Sequence, residues 1–518
     1  MGTRSDATPH AVVVPSSGQG HVVGAMLLSQ SLAALGFKVS FIYFSSYHAR
    51  LKERNRLVLP SQGLRGDLLL ISNGRGDGSS DNDSSHRTAT TALTMVSNDI
   101  EVRNTSSAMP SNGRCGGGGK IFLHVVEDGF APGDIDKHFF VTSAMKENLF
   151  NLIVELREQV HPPTCLISDS FIPWTLEVTQ RAGIPRIELW TSNAMAHLLI
   201  SHLTILYSEG IFPEKGSPTL WMRETPLMLS HIPGLPPFSS ELTPKDLRFA
   251  DSSNSFVQFC HKIASCVKSG ERLLINSLLE LEPAAFKAYE VQGVSVYAIG
   301  PLPTQTKTED NDQTECLSWL DLQAESSVVY VAFGSSAKFS VEEIQELAAG
   351  LEASGSAFLW VIREDSVKME ELPEVLPKGF LERTNGKGMI IGWAPQVKVL
   401  AHKAVGGFLS HCGWNSTVES LWAGVPILCC PRFAEQRVNC HYLCNVWGAG
   451  LELRRTETGG LDRSFVQLGV KALLQSEEGH KATNKAREIM HIIEKTSQQG
   501  GQSFTNLQKL YDDMRALC

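Results

Sequence analysis

One pattern recurs in both halves of the chain and limits what it can become. A short apolar run ends in a loop, a helically spaced segment follows, and a second apolar run closes the unit. Near the start, the run from Val12 to Pro15 leads through SSGQGH into GAMLLSQSLAALG, ended by Gly36, and then into Lys38 to Phe44. CLIS, a helical stretch through Ala182 and RIELW repeat it, as do SVVYVAFG, a helix from Val341 to Leu351 and AFLWVIR. Apolar runs of this length alternating with 3.6-residue periodicity predict βαβ units, hence parallel sheets covered by helices on both faces. At about 100–200 residues per domain, the 518 residues accommodate two such α/β domains.

Composition removes several function classes. Hydrophobic residues make up 42% and charged residues 19%, so the chain as a whole is globular. A net charge of −9 argues against a general nucleic-acid binder, though it permits a local pocket for an anion. The 11 cysteines contain no CxxC pair, and Cys429, Cys430, Cys440, His441 and Cys444 fit no zinc spacing, so these thiols are expected to be buried packing. The polar MGTRSDATPH and the short run Ala11 to Val14 make no signal peptide, no stretch approaches the roughly 20 apolar residues of a membrane span, and the terminal RALC is no prenylation box. A soluble, cytoplasmic, monomeric protein is the expectation.

Residues 73–119 break the alternation. GRGDGSSDNDSSH and NTSSAMPSNGRCGGGG cannot bury enough apolar surface to order themselves, which predicts a disordered insertion. Its Arg75-Gly76-Asp77 triplet and the sequon at Asn104 are read as chance. A polar, acidic linker is expected over 303–320.

The most informative stretch is GGFLSHCGWNSTVESLWAGVPILCC. Gly406 to Ser410 predicts a strand, Asn415 to Trp422 a helix and Val425 to Cys430 the next strand. HCGWNS therefore falls between the carboxyl end of a strand and a helix N-terminus, where free N–H groups and the helix dipole favour an anion. Asn415 and Ser416 can cap the helix or donate to phosphate, Gly413 allows close backbone approach, and His411 adds a donor. The spacing Ser416 to Glu419 also fits a capping box, which would leave Glu419 tying down the helix start, and Trp414 could be plain packing. Upstream, Trp393 and Gln396 of WAPQ supply an aromatic face and an amide for reading a base. Downstream, Glu435 and Gln436 of PRFAEQ offer a carboxylate beside an amide, suited to sugar hydroxyls.

From Trp393 to Gln436 the chain resembles the 44-residue signature box of plant UDP-sugar-dependent glycosyltransferases acting on small molecules, with WAPQ, HCGWNS, the GVP turn and the terminal Gln in register. SSGQGH, CLISDSF, ELWTSNA, LLINSLLELE, AIGPL and VVYVAFGSS extend the likeness along nearly the whole chain. The resemblance implies the GT-B arrangement of two facing Rossmann-like domains: an acceptor domain over 1–302 and a donor domain over 321–495, with a helix in 496–518 packing back on the first. It implies that Trp393 stacks on uracil, that Gln396 and the Ala394 backbone fix the nucleoside, and that Glu419 holds the ribose. It gives the diphosphate to His411, Asn415, Ser416 and Ser335, with Gly413 in the same turn, and the sugar to Trp414, Glu435 and Gln436, helped by Thr191. UDP-glucose is then a co-substrate rather than a cofactor, and the other partner is a small-molecule aglycone.

His21 closes the loop after the first strand, and Asp169 ends CLISD. Parallel strands bring their carboxyl ends to one edge, so a carboxylate there can fix one imidazole nitrogen, as in triad logic. The resemblance makes His21 the general base and Asp169 its orienting partner, in an inverting transfer of glucose to a hydroxyl of a lipophilic, flavonoid or phenolic acceptor. The Asp-x-Asp triplets beginning at Asp81, Asp134 and Asp310 do not end strands, so no catalytic metal is expected. Four departures stand out: Gly24 where the family commonly has Pro, Glu435 where it usually has Asp, the insertion, and an unalignable Gly210 to Leu247. Two rivals remain. An NAD(P)-dependent oxidoreductase is suggested by Gly18-x-Gly20, but Val23 occupies the third glycine position and no acidic residue ends the second strand. The other is a catalytically silent nucleotide-sugar binder.

Overall fold

The computed structural model describes residues 8–53, 70–72, 119–130, 141–208, 228–230, 232–244, 253–267, 272–302, 315–335, 337–363 and 366–518. The expected insertion, apart from Gly119, the first part of the expected linker and all three Asp-x-Asp triplets lie outside these residues, as does much of Gly210 to Leu247.

The first half is built on β1 (His10–Val14), β2 (Lys38–Phe44), β3 (Leu70–Ser72), β4 (Ile121–Val126), β5 (Cys165–Asp169) and β6 (Arg186–Trp190). A small antiparallel pair, β7 (Met228–Leu229) with β8 (Phe238–Ser239), stands apart, and β9 (Arg272–Ile275) and β10 (Val296–Ala298) complete the sheet. Its order is β10-β9-β6-β5-β1-β2-β4-β3, parallel throughout. The second sheet contains β11 (Val328–Ala332), β12 (Ala357–Val361), β13 (Gly388–Ile391), β14 (Val405–Ser410), β15 (Ile427–Cys429) and β16 (Gly450–Glu452). Its order is β13-β12-β11-β14-β15-β16, again parallel.

Both sheets are buried on both faces, which is why their strands read as unbroken apolar runs. In β1, Ala11 and Val13 join one core and Val12 and Val14 another. In β11, Val328, Tyr330 and Ala332 face one core and Val329 and Val331 the opposite one. The strand order reverses between β1 and β5 and again between β11 and β14. In open α/β sheets the crevice at such a reversal receives ligands. The loops at these points are those of His21, Asp169, Gly334 and His411.

Local boundaries differ from expectation in one consequential place. The helix after HCGWNS starts one residue early, spanning Trp414–Trp422 with Gly413 as N-cap and no side chain capping it. The Ser416–Glu419 capping box is not formed; Ser340 and Glu343 make one instead, at the start of Val341–Ser354. The C-terminal helix Gln502–Arg515 lies on the first sheet, where Leu507, Leu510 and Met514 join its core and Tyr511 packs edge-on against Phe37. Among the described residues, no helix is long and apolar enough to cross a membrane.

Candidate active site

His21 stands in the first turn of the helix Gln19–Ala34, immediately after β1. Because β5 pairs with β1, the end of β5 delivers Asp169 beside it. Nδ1 of His21 lies 2.7 Å from Oδ2 of Asp169; the imidazole is 27% exposed and the carboxylate 1%. The other oxygen of Asp169 accepts the Phe171 N–H at 2.8 Å, which fixes the carboxylate. Nδ1 is therefore the protonated nitrogen, and Nε2 keeps the lone pair that can take a proton. Burial disfavours a charged ring here, but the Asp169 charge and hydrogen bond, with Glu435 adding to them, raise the pKa of His21 above its ordinary value. Thr191 places its hydroxyl 3.3 Å from Nδ1, and the Phe171 ring lies 4.7 Å from the imidazole. Gly24 does not loosen this helix, which runs unbroken; a Cβ at Gly24 would come 3.0 Å from Thr191 Cγ2, so the glycine serves close approach.

Across the cleft, β14 leads into the turn His411, Cys412 and Gly413. Two glycines clasp the imidazole of His411: a Cβ on Gly334 would fall 2.6 Å from Nε2, and one on Gly413 2.4 Å. Burial lowers the pKa of His411 to about 4, so it is a neutral N–H donor; the positive end of the uncapped helix is what meets charge. Ser335 is exposed one residue beyond Gly334.

Glu419 turns away from the helix start toward Gln396, whose Nε2 donates to it at 2.6 Å and to Ser416 Oγ at 3.0 Å, while Tyr330 donates to the Gln396 oxygen at 3.2 Å. Burial lifts the Glu419 carboxyl to about 7, with the Gln396 bond opposing. Trp393 is 61% exposed and presents an open indole face; Ala394 beneath it is buried.

Several expected sugar contacts are engaged in ways the sequence did not indicate. The Trp414 indole is buried and donates to the Asn276 carbonyl at 2.6 Å, and its backbone bonds the Glu435 carboxylate, so Trp414 acts on the sugar side through Glu435 rather than through its ring. Gln436 uses its carbonyl oxygen to accept the N–H groups of Arg432 and Phe433, leaving its NH2 as a donor. Glu435 reaches across the cleft to accept from Ser192 Oγ at 3.3 Å, and burial raises its pKa. Asn415 donates to the Gly20 carbonyl at 3.2 Å, one residue from His21. Asn276, Ser192, Phe171 and the pair Asn193–Asn439, bonded at 2.6 Å, went unrecognised in the sequence. Asn276 and Phe171 sit inside LLINSLLELE and CLISDSF, but nothing in those strings foretells that Asn276 meets Trp414 of the other half or that Phe171 packs on His21.

Residues 296–476 match the family described as UDP-glucoronosyl and UDP-glucosyl transferase. The chain is 31% identical to the 7-deoxyloganetin glucosyltransferase of Gardenia jasminoides, covering 97% of this chain and 96% of the relative. It is 30% identical to UDP-glycosyltransferase 85A3 of Arabidopsis thaliana, covering 96% and 95%. Among solved structures, UGT2 of Phytolacca americana complexed with UDP-2fluoro-glucose and pterostilbene superposes with a TM-score of 0.70 at 26% identity, covering 99% of this chain and 100% of that one. TcCGT1 in complex with UDP gives 0.75 at 25% identity, covering 99% and 100%. Neither the oxidoreductase nor the silent binder finds support in these likenesses. The two facing parallel sheets are the GT-B fold, and the chain is an enzyme belonging to the plant family 1 UDP-glycosyltransferases, which act on small molecules.

Proposed function

We propose that the enzyme transfers glucose from UDP-glucose, with inversion, to a hydroxyl of a small lipophilic acceptor, a phenol or comparable ring-bearing alcohol, giving a β-glucoside. The observation that carries this reading is the His21–Asp169 pair, 2.7 Å apart, facing a helix N-terminus that no side chain caps. Nε2 of His21 takes the acceptor proton as the hydroxyl oxygen attacks the anomeric carbon, and Asp169 stabilises the imidazolium. UDP departs on the opposite side, its diphosphate met by the Trp414–Trp422 helix dipole, the neutral His411 donor, Asn415, Ser416 and Ser335. Trp393 stacks the uracil, Gln396 and Ala394 hold the nucleoside, and Glu419 accepts from the ribose hydroxyls.

An aromatic patch supports a ring-bearing acceptor. Phe171 touches His21, stacks on Trp190 with centroids 5.7 Å apart, and lies 5.8 Å from Phe259. Relatives carry names for an iridoid and a cyanohydrin acceptor, 7-deoxyloganetin and (R)-mandelonitrile, both ring-bearing alcohols. For the sugar, the Gln436 NH2 and the Glu435 carboxylate favour equatorial hydroxyls. A buried polar group left unpaired costs about 1–3 kcal/mol, or roughly 5- to 150-fold, which predicts UDP-glucose over UDP-galactose. Mass spectrometry of a ring-bearing alcohol panel, with both donors competing at equal concentration, tests acceptor class and sugar together. Equal use of the donors, or a preference for galactose, would overturn the sugar assignment. His21→Ala should cut turnover on weakly acidic alcohols by about 100- to 10,000-fold while UDP-glucose still binds.

A further inference from the structure

Among the described residues, one group of three or more His, Cys, Asp or Glu side chains converges closely enough to hold a metal ion, and it lies outside the reaction cleft just described. Cys429 ends β15, Cys440 lies on the helix Gln436–His441, and Cys444 belongs to the π-helical turn Tyr442–Val446. Their sulfurs all lie within 4.8 Å of one another, and those of Cys429 and Cys444 are 3.7 Å apart. A fourth thiol, Cys412 of the His411 turn, interacts with both Cys429 and Cys440. Cys412, Cys429 and Cys440 are buried, and half-buried Cys444 provides the approach from solvent.

We propose that these sulfurs bind one thiophilic divalent d10 cation, zinc by its chemistry, through Cys429, Cys440 and Cys444 with Cys412 as fourth ligand. Thiolates held about 2.3 Å from a tetrahedral zinc are about 3.8 Å apart, so the Cys429–Cys444 edge already has that length. Closing the rest of the triangle from 4.8 Å requires a shift of under about 1 Å, within the reach of rotamer adjustment. The donor set is sulfur alone, which selects soft cations over magnesium or calcium. Ligation converts four thiols to thiolates and releases four protons to solvent. Arg437, one turn before Cys440, favours the charged sulfur. The ion ties the His411 turn to the helix that begins with Gln436, and takes no part in the transfer.

The spacing of these cysteines resembles no zinc motif because the ligands come from a turn, a strand end and two helical turns. Only the fold brings them together. The test uses the full-length chain, reduced and stripped with chelator, titrated with Cd²⁺ as spectroscopic probe and with Zn²⁺ against a chromophoric chelator. One equivalent per chain, a thiolate-to-metal charge-transfer band and a raised Tm are expected. Cys440→Ser and Cys444→Ser should each weaken binding by roughly 100-fold or more, whereas Cys260→Ser, a buried thiol elsewhere, should bind as the parent does. If Cys440→Ser fails to melt cooperatively, half-buried Cys444→Ser and Cys444→Ala decide. No charge-transfer band at one equivalent, or undiminished binding in the Cys444 variants, would overturn the proposal.

Discussion

At His21 two effects of opposite sign meet, and in the proposed base role their balance would set the pH at which the enzyme works. Burial favours the neutral ring, but Asp169 and Glu435 favour the cation more strongly, so the pKa stands above the ordinary 6.5. As the proposed base, His21 would act only when unprotonated. With UDP-glucose saturating and the acceptor varied, the acidic limb of kcat/KM should therefore fall above pH 6.5. Asp169→Asn removes the main support for the cation; burial then prevails, and the limb should move to lower pH on a much reduced plateau. A limb that stayed in place would dissociate Asp169 from the base. Glu419 makes a second pH prediction. Burial lifts its carboxyl to about 7, and in the proposed role ribose hydroxyls would donate to the ionised form, so binding would favour the carboxylate. UDP-glucose, which has no terminal phosphate to titrate, should bind about tenfold more weakly per pH unit below 7, and Glu419→Gln should flatten that dependence in a calorimetric titration.

In the proposed reaction the strand–turn–helix element of HCGWNS carries the donor side, and its tolerances are set by two glycines. Gly413→Ala would place a methyl 2.4 Å from His411 Nε2 and displace the imidazole. UDP-glucose should then bind about 10- to 150-fold more weakly, the worth of one hydrogen bond to a charged group at ~1.5–3 kcal/mol, with the His21 pH profile unchanged. Much of this element was legible in sequence. Strands buried on both faces announce themselves as apolar runs, and HCGWNS was expected between a strand and a helix, where the structure has it. What was not legible is where long side chains turn. Glu419 satisfied the spacing of a capping box, yet it bonds to Gln396, twenty-three residues upstream. Trp414, read as a sugar contact or as packing, spends its N–H on Asn276 of the other half. Patterns of spacing report neighbours along one element; they are silent about partners brought in by the fold.

At the scale of the whole molecule, the halves meet directly along the cleft. Asn193 bonds to Asn439, Trp447 donates to the Leu281 carbonyl at 2.9 Å, and Ser192 reaches Glu435. The last helix then leaves the second half altogether. Asn506 donates to the Ala298 carbonyl at 2.8 Å and Tyr297 to Asp513 at 2.5 Å. Removing residues 498–518 takes away Leu507, Leu510 and Met514, each contributing roughly 1.5–3 kcal/mol by burial before the cost of ordering the helix, and uncovers the first-half core around Phe37. Scanning calorimetry should show the first half melting earlier in the truncated chain, while UDP-glucose still protects the second; a single unshifted transition would count against this assignment of the helix. That returning helix also means the polypeptide passes between the halves twice, once between Leu302 and Glu315 and again between Ser497 and Gln502. A body tied to its neighbour at two places has fewer ways to move against it than one tied at a single place, so the returning helix narrows the relative positions that the two halves can take across the cleft.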